Sequence, residues 1–417
     1  MGSWSCWMAR AERHRWVFAS RFRRGAFGWR SQPAVRRVRE AAAEIKKVAR
    51  TDPVLAGDGA VLFLERVSPA LERVDSSSGA IGSAVNRAVQ ELARVIAAAP
   101  ADAEARDRWL ARLWRAHEVD QVPYIEVLGD CWGELCGSKE VASQWADRLA
   151  GTVRMAWSPA PGRRGLFHGT SACLSALYRA ERYEELVALL RLDRLRFWPY
   201  QRWGVRELVA VGRRAAALGL AEACRTQGGD GREIALACEE ILLSSGLAEE
   251  AYERYAVAAN QRASYLATFR AIAAKYPHKQ PTEVLADLVA SMPGQEGKWF
   301  AAAKDAKLYN AAVELAGRSP CDPRTLTRAA RDCAETAPAF AVEAGLLALH
   351  RLVHGYGYEV TAGDVWAAYS HAMQAAERIG CGDAVRERVR RLVADEVAET
   401  AGDRFVAGIL SREVGVV

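Results

Sequence analysis

Apolar residues return every three or four positions through most of this chain, making the stripes of helices buried along one side. In AVRRVREAAAEIKKVAR, opened by Pro33, the stripe is Val35, Val38, Ala42, Ile45 and Val48. Further on it is Val85, Val89, Leu92 and Ile96, then Trp109, Leu110, Leu113 and Trp114. Ala99-Pro100 stops one helix and Asp102 is placed to cap the next. Gly57 and Gly59 precede a helix over AVLFLERVSPALERV, and the run from Asp75 to Gly79 marks a turn. Two more helical stretches are expected around 124–136 and 140–155. No stretch alternates with the period of two that a half-buried strand needs.

From 173 onward one phrase recurs: a helix end, a tight turn of small residues, and an acidic or alanine-rich helix start. It reads CLSALYRAERYEELVALLRL at 173–192, LVAVGRRAAALGLAEACRT at 208–226, CEEILLSSGLAEEAYERYAVAA at 238–259 and, more loosely, WFAAAKDAKLYNAAVELAG at 299–317. Each is an antiparallel helix pair in sequence form. A single pair cannot bury its own apolar face, so the pairs must stack. The turns are expected near Tyr183, Leu220, Leu247 and Leu308, at intervals of 37, 27 and 61 residues. A strict tetratricopeptide array would repeat every 34 residues or so. The expected fold is therefore all-α: an irregular tetratricopeptide-like α-solenoid of antiparallel helix pairs with an N-terminal helical bundle. Later, Asp322-Pro323 has the form of a capped helix start, and Thr361 to Asp364 has the spacing of a capping box.

The segment WSPAPGRRGLFHG, with two prolines and three glycines, reads as a linker. The organisation that follows is a basic arm at 1–34, a bundle at 35–156, the linker at 157–169, the helical repeats at 170–402 and a tail at 403–417.

One stretch of the repeat region, RASYLATFRAIAAKYPHKQPTEVLADLVASMPGQEGKWFAAAKDAKLYNAAVELAGR at 262–317, resembles the C-terminal helical-repeat region of uncharacterised bacterial proteins, some of which carry a SWIM zinc finger in front. Residues 70–95 and 178–190 look similar to the same group, and the resemblance spans most of 35–380. It implies a helical-repeat fold and no particular activity. The C-x-C and C-x-H pairs of the zinc finger are absent, so metal-dependent nucleic-acid binding is not carried over.

At 417 residues the chain exceeds one ordinary core. No apolar run reaches the roughly 18 residues of a membrane-spanning helix, and no signal-peptide core follows the basic start, so a cytoplasmic location is expected. The nine cysteines show no C-x-x-C spacing and lie mostly in apolar helical runs, as reduced, packing thiols do. Charge is unevenly spread. Residues 1–50 carry thirteen Lys/Arg against three Glu; the other 367 carry 44 positive against 48 negative side chains.

That basic start interleaves Arg13, Arg15, Arg21, Arg23, Arg24 and Arg30 with Trp16 and Trp29. Such an arm could neutralise phosphates and stack on bases, or lie on anionic lipid; it could equally be a capping helix with solvated arginines. Met8 is an alternative initiator. A second cluster, RFWPYQRWGVREL, crowds Trp198 and Trp203 with Arg196, Arg202 and Arg206. It could hold an anion or a partner, while Pro199 as a helix opener and the rings as packing volume are the structural alternative. His350 and His354 share one helix face at i, i+4, with His371 the nearest third ligand by sequence. No Glu stands between them as a metalloprotease helix requires, so they are expected to be a helix-terminal pair complementing the dipole. PGQEGKWF lacks the Ser/Thr of a phosphate loop, and no nucleophile elbow appears. No cofactor or catalytic group is expected. The function expected from these features is a non-enzymatic scaffold holding another protein or a peptide in the solenoid groove, with nucleic acid on the basic arm as the alternative and metal or enzyme chemistry third.

Overall fold

The computed structural model describes residues 14–158, 165, 167–225, 231–399 and 405–415. Among them every regular element is helical: twenty-two α-helices, two short 3-10 helices and no strand. The fold is all-α and solenoid-like, as the apolar spacing demands. The chain divides into two compact units between Asp230 and Gly231.

The first unit opens as a bundle of the helices Ser31–Val48, Pro53–Leu71, Ala80–Ala98 and Ala103–Glu118. The stripes read from sequence face its core: Val38, Ile45, Val85, Val89, Leu92 and Ile96 are buried. Asp52 and Asp102 cap their helices, accepting the Leu55 and Ala105 N–H at 3.0 and 2.8 Å. Gly57 and Gly59 do not precede a helix; they lie inside Pro53–Leu71. The reason is close approach. A Cβ on Gly57 would fall 2.5 Å from the Trp109 ring, and one on Gly59 2.2 Å from the Trp16 ring. Two indoles sit where side chains would otherwise stand.

Trp16 comes from the segment read from sequence as a basic arm or a capping helix. From residue 14 on, that segment is instead built into the bundle. Phe18 and Phe22 are buried with edge-to-face contacts to Phe63 at 5.7 and 5.1 Å, and Glu44 accepts the Val17 N–H at 2.7 Å. The helices Lys139–Ala156 and Thr170–Arg179 pack against each other, so 157–169 lies within the first unit. Of that segment, 159–164 and 166 are outside the described residues.

The helix pairs share one turn geometry. Glu181, Gly212, Gly246 and Lys307 take left-handed φ values of 57°, 79°, 76° and 60°. The next N–H then reaches back five residues: Arg182 to Leu177, Arg213 to Leu208, Leu247 to Leu242 and Leu308 to Ala303, at 3.0, 2.7, 3.0 and 2.9 Å. This is the Schellman closure, which satisfies helix-end carbonyls and reverses the chain. The second reversal is therefore at Gly212. Leu220, where it was expected, lies within the helix Arg214–Arg225. The left-handed residues are 31, 34 and 61 positions apart, closer to a tetratricopeptide period over the first three.

In the second unit the capped starts appear as expected. Asp322 accepts the Thr325 N–H at 2.9 Å, and Thr361 and Asp364 form the capping box. Residues 405–414, expected within a tail, form the helix Phe405–Val414 with Val406 and Leu410 buried. Its first turn is capped by the buried Glu396, which accepts the Val406 N–H at 3.2 Å and the Ala407 N–H at 2.5 Å. No described helix is long and apolar enough to cross a membrane. No disulfide joins the described cysteines, and burial pushes the thiols of Cys131, Cys136, Cys173 and Cys321 up to about 12, so those four are not nucleophiles near neutrality.

Candidate functional site

Within the first unit the helices Tyr183–Leu190, Trp198–Ala210 and Arg214–Arg225 bound a groove of about 340 Å³. Its apolar side is Leu190 with the half-buried Val187, Leu208 and Leu220. Gly204 keeps this wall thin: a Cβ there would lie 3.0 Å from Leu190 Cδ1.

The loop between the first two of these helices is organised by Asp193. Its buried carboxylate accepts the N–H groups of Leu195 and Phe197 at 3.2 and 2.9 Å and the Gln201 Nε2–H at 3.0 Å. Gln201 also donates to the Leu190 carbonyl at 3.4 Å. Held between those two bonds, Arg196 adopts φ +46°, a conformation costing an L-residue about 1–2 kcal/mol. The loop therefore projects Arg196 against a local preference.

Arg191, Arg196 and Arg213 all line this groove, and among the described residues none of their side chains has a hydrogen bond or ion pair. Glu207 lines it too. It is only 9% exposed, and its carboxylate also has no partner among the described residues. The side chain has little exposed surface, but neither carboxylate oxygen is sealed from solvent. An unpaired carboxylate open to a cavity beside three unengaged guanidinium groups is a set of polar groups left available to something outside the chain.

Of the cluster singled out in sequence, only Arg196 reaches this groove. Trp198 and Trp203 are both 3% exposed and pack in the interior, Trp203 at 5.6 Å from the Tyr178 ring. Arg202 is ion-paired with Asp130 and donates to the Pro199 carbonyl at 3.0 Å. Arg206 lies over the Trp203 ring at 4.7 Å. The two rings fill volume and are not a stacking platform. Arg191, Arg213 and Glu207 were missed. The signal for Arg213 was Gly212 beside it, which sets it on the turn; nothing local marks Glu207.

The basic start is likewise divided. Trp16 is buried, Arg21 pairs with Glu40 at 3.3 Å and Arg24 with Glu72 at 3.2 Å. Arg15, Arg23, Arg30 and Trp29 are exposed, Trp29 at 73%. Arg13 lies outside the described residues.

His350 and His354 stack with ring centroids 4.2 Å apart, His354 Nδ1 lying 2.8 Å from the His350 carbonyl. Burial and then the neighbouring His354 push the His350 pKa down. His371 does not join them: among the described residues no three His, Cys, Asp or Glu side chains are grouped to hold a metal.

Set against protein-family models, curated proteins and solved structures, the chain matches none of them.

Proposed function

We propose that this chain is a non-enzymatic helical-repeat scaffold that works by holding another protein, in the cytoplasm. The observation that carries the reading is the groove at 187–220, whose arginines and Glu207 have no partners among the described residues. A depression of about 520 Å³ in the second unit, lined by Tyr309, Val313, Phe340 and Ile379, makes a useful contrast. There the bordering Glu314 and Glu343 are already paired with Arg318 and Arg388. Stacked helix pairs are suited to presenting such grooves to peptides and helices. The resemblance of 262–317 to bacterial helical-repeat proteins belongs to the same proposal. Proximity labelling in the native host tests it: a reproducible partner set, above a tagged control, is expected. Absence of enrichment in repeated experiments would sink the scaffold reading.

A second reading, nucleic-acid association, draws on the exposed Trp29 beside Arg30, with Arg15 and Arg23 unpaired among the described residues. Deleting 1–34 is not a clean test, because Trp16, Phe18 and Phe22 belong to the core. Substituting Trp29→Ala with Arg15→Glu, Arg23→Glu and Arg30→Glu avoids that. Fluorescence anisotropy with single-stranded DNA at low salt should then show binding by the parent and its loss in the variant. Equal anisotropy for the two proteins refutes it.

A further inference from the structure

We propose that the groove of the first unit binds a short acidic peptide segment of a partner protein: a carboxylate side chain engages Arg191, Arg196 and Arg213, an adjoining main-chain N–H donates to Glu207, and a neighbouring apolar side chain lies against Leu190, Leu208 and Leu220. This rests on the scaffold reading above and names what the scaffold holds.

Each part of that ligand answers an unsatisfied feature. Three guanidinium groups without partners call for an anion, and planar carboxylates match their paired N–H donors. Glu207 disfavours a simple polyanion, since a phosphate seated among the arginines would face a second negative charge on the same groove wall. A ligand carrying its own N–H donor next to the acid removes that conflict and supplies the bond Glu207 lacks. Peptide main chain provides that donor at every residue except proline. The half-buried leucines supply an apolar wall that a bare ion would leave wet.

The contact surface also extends past the groove, which favours a chain over a small acid. Leu195 is 82% exposed and Phe197 51%, and both stand on the Asp193-organised loop that carries Arg196. Large apolar side chains held outward by a hydrogen-bonded loop beside a charged groove give a peptide area on which to continue.

The test is an array of N-acetylated, C-amidated pentapeptides with a central Glu, Asp, Gln or Lys flanked by Leu, Val or Phe, probed with the full chain. Glu- and Asp-centred peptides should bind about tenfold or more above their Gln and Lys counterparts, and N-methylation beside the acid should weaken them by a similar factor. The Arg191→Glu, Arg213→Glu double variant, at exposed and unpaired positions, should keep the wild-type circular dichroism and lose the preference. An array without preference for the acidic centre overturns the proposal, as does a preference the double variant retains. Displacement of the bound peptide by equimolar free glutamate or inorganic phosphate would overturn it too, by showing a small-anion site. In proximity labelling, partners retained in full by the double variant overturn the groove assignment and leave the scaffold reading standing. An empty set for the wild type overturns both.

Discussion

Glu239 in the second unit and Glu207 in the first are both helix-borne glutamates with little exposed surface, and the surroundings of their carboxylates are opposite. Glu239 is fully buried and fully engaged. Its Oε1 accepts from Asn260 Nδ2 and from the Tyr276 hydroxyl, each at 2.6 Å, and its Oε2 from Lys275. Those donors come from the next two helices and the residue after them, so one carboxylate ties three successive helical segments. Burial, then Glu239, holds the Tyr276 hydroxyl above the usual tyrosine range. Arg351 is engaged in part: its Nη2 donates to the Ser319 carbonyl at 3.0 Å and the Gly317 carbonyl at 3.2 Å, while its Nε has no partner among the described residues. In the first unit Arg106 and Asp120 are satisfied, by the Ile96 and Ala99 carbonyls and by the Ile125 N–H. Glu207 has no partner among the described residues, and the buried His117 has both ring nitrogens without a hydrogen bond. A buried polar group with all its bonds made is part of the frame. One left without them inside, as at His117, is a cost the fold carries; one left unpaired but open to a groove, as at Glu207, is a pointer to what the protein meets outside itself.

The largest effect that would sharpen this contrast is at Glu239. Glu239→Ala strands the Asn260 and Tyr276 donors and should cost about 3–5 kcal/mol in denaturant melts. A loss under about 1 kcal/mol would mean the network is not a frame. Next is packing in the groove-forming helix. Leu186 is fully buried, while Glu185 on the same turn is part-exposed and pairs with Arg182. Leu186→Ala should cost about 2–5 kcal/mol and Glu185→Ala within about 1 kcal/mol. Equal losses would break the assignment of inner and outer faces.

The third test is of His117 and pH. Burial, reinforced by His168 at a centroid distance of 5.1 Å, lowers its pKa from 6.5 to about 4; the nearby Glu126 carbonyl and Asp130 only partly oppose this. Unfolded, the ring takes a proton near pH 6.5. Its contribution to stability is therefore whole above that pH and is lost as pH falls toward 4, amounting to about 3 kcal/mol at the acid end. Against a His117→Phe variant, the wild type should lose that much more stability between the two pH values. Parallel curves would show the imidazole is not held neutral. Smallest is Glu207→Gln, expected to change stability by no more than about 0.5 kcal/mol because no bond within the described chain is broken. A loss of several kcal/mol there would give Glu207 the same structural role as Glu239 and remove the contrast.

Local chemistry alone determined much of this protein: the all-α class, the buried stripes, and the caps at Asp102, Asp322 and Thr361. These depend on residues within one or two turns of each other, which is the range over which sequence spacing is geometry. Glycine was a less reliable guide. Gly212 and Gly246 did mark reversals, yet Glu181 and Lys307 take the same left-handed conformation without a glycine, and Gly57 and Gly59 sit inside a helix. Only packing explains the latter pair, because the Trp109 and Trp16 rings that need the space are distant in sequence. The tertiary structure also decided which aromatic and basic residues are available. Beside their arginines, Trp16, Trp198 and Trp203 could have served as binding surface or as packing volume, and all three are interior. Arg196 kept its place, while Arg191, Arg213 and Glu207 joined it only because three helices converge there. Whether a charged side chain finds a partner is settled by residues brought near through folding, and that is a property no stretch of sequence contains.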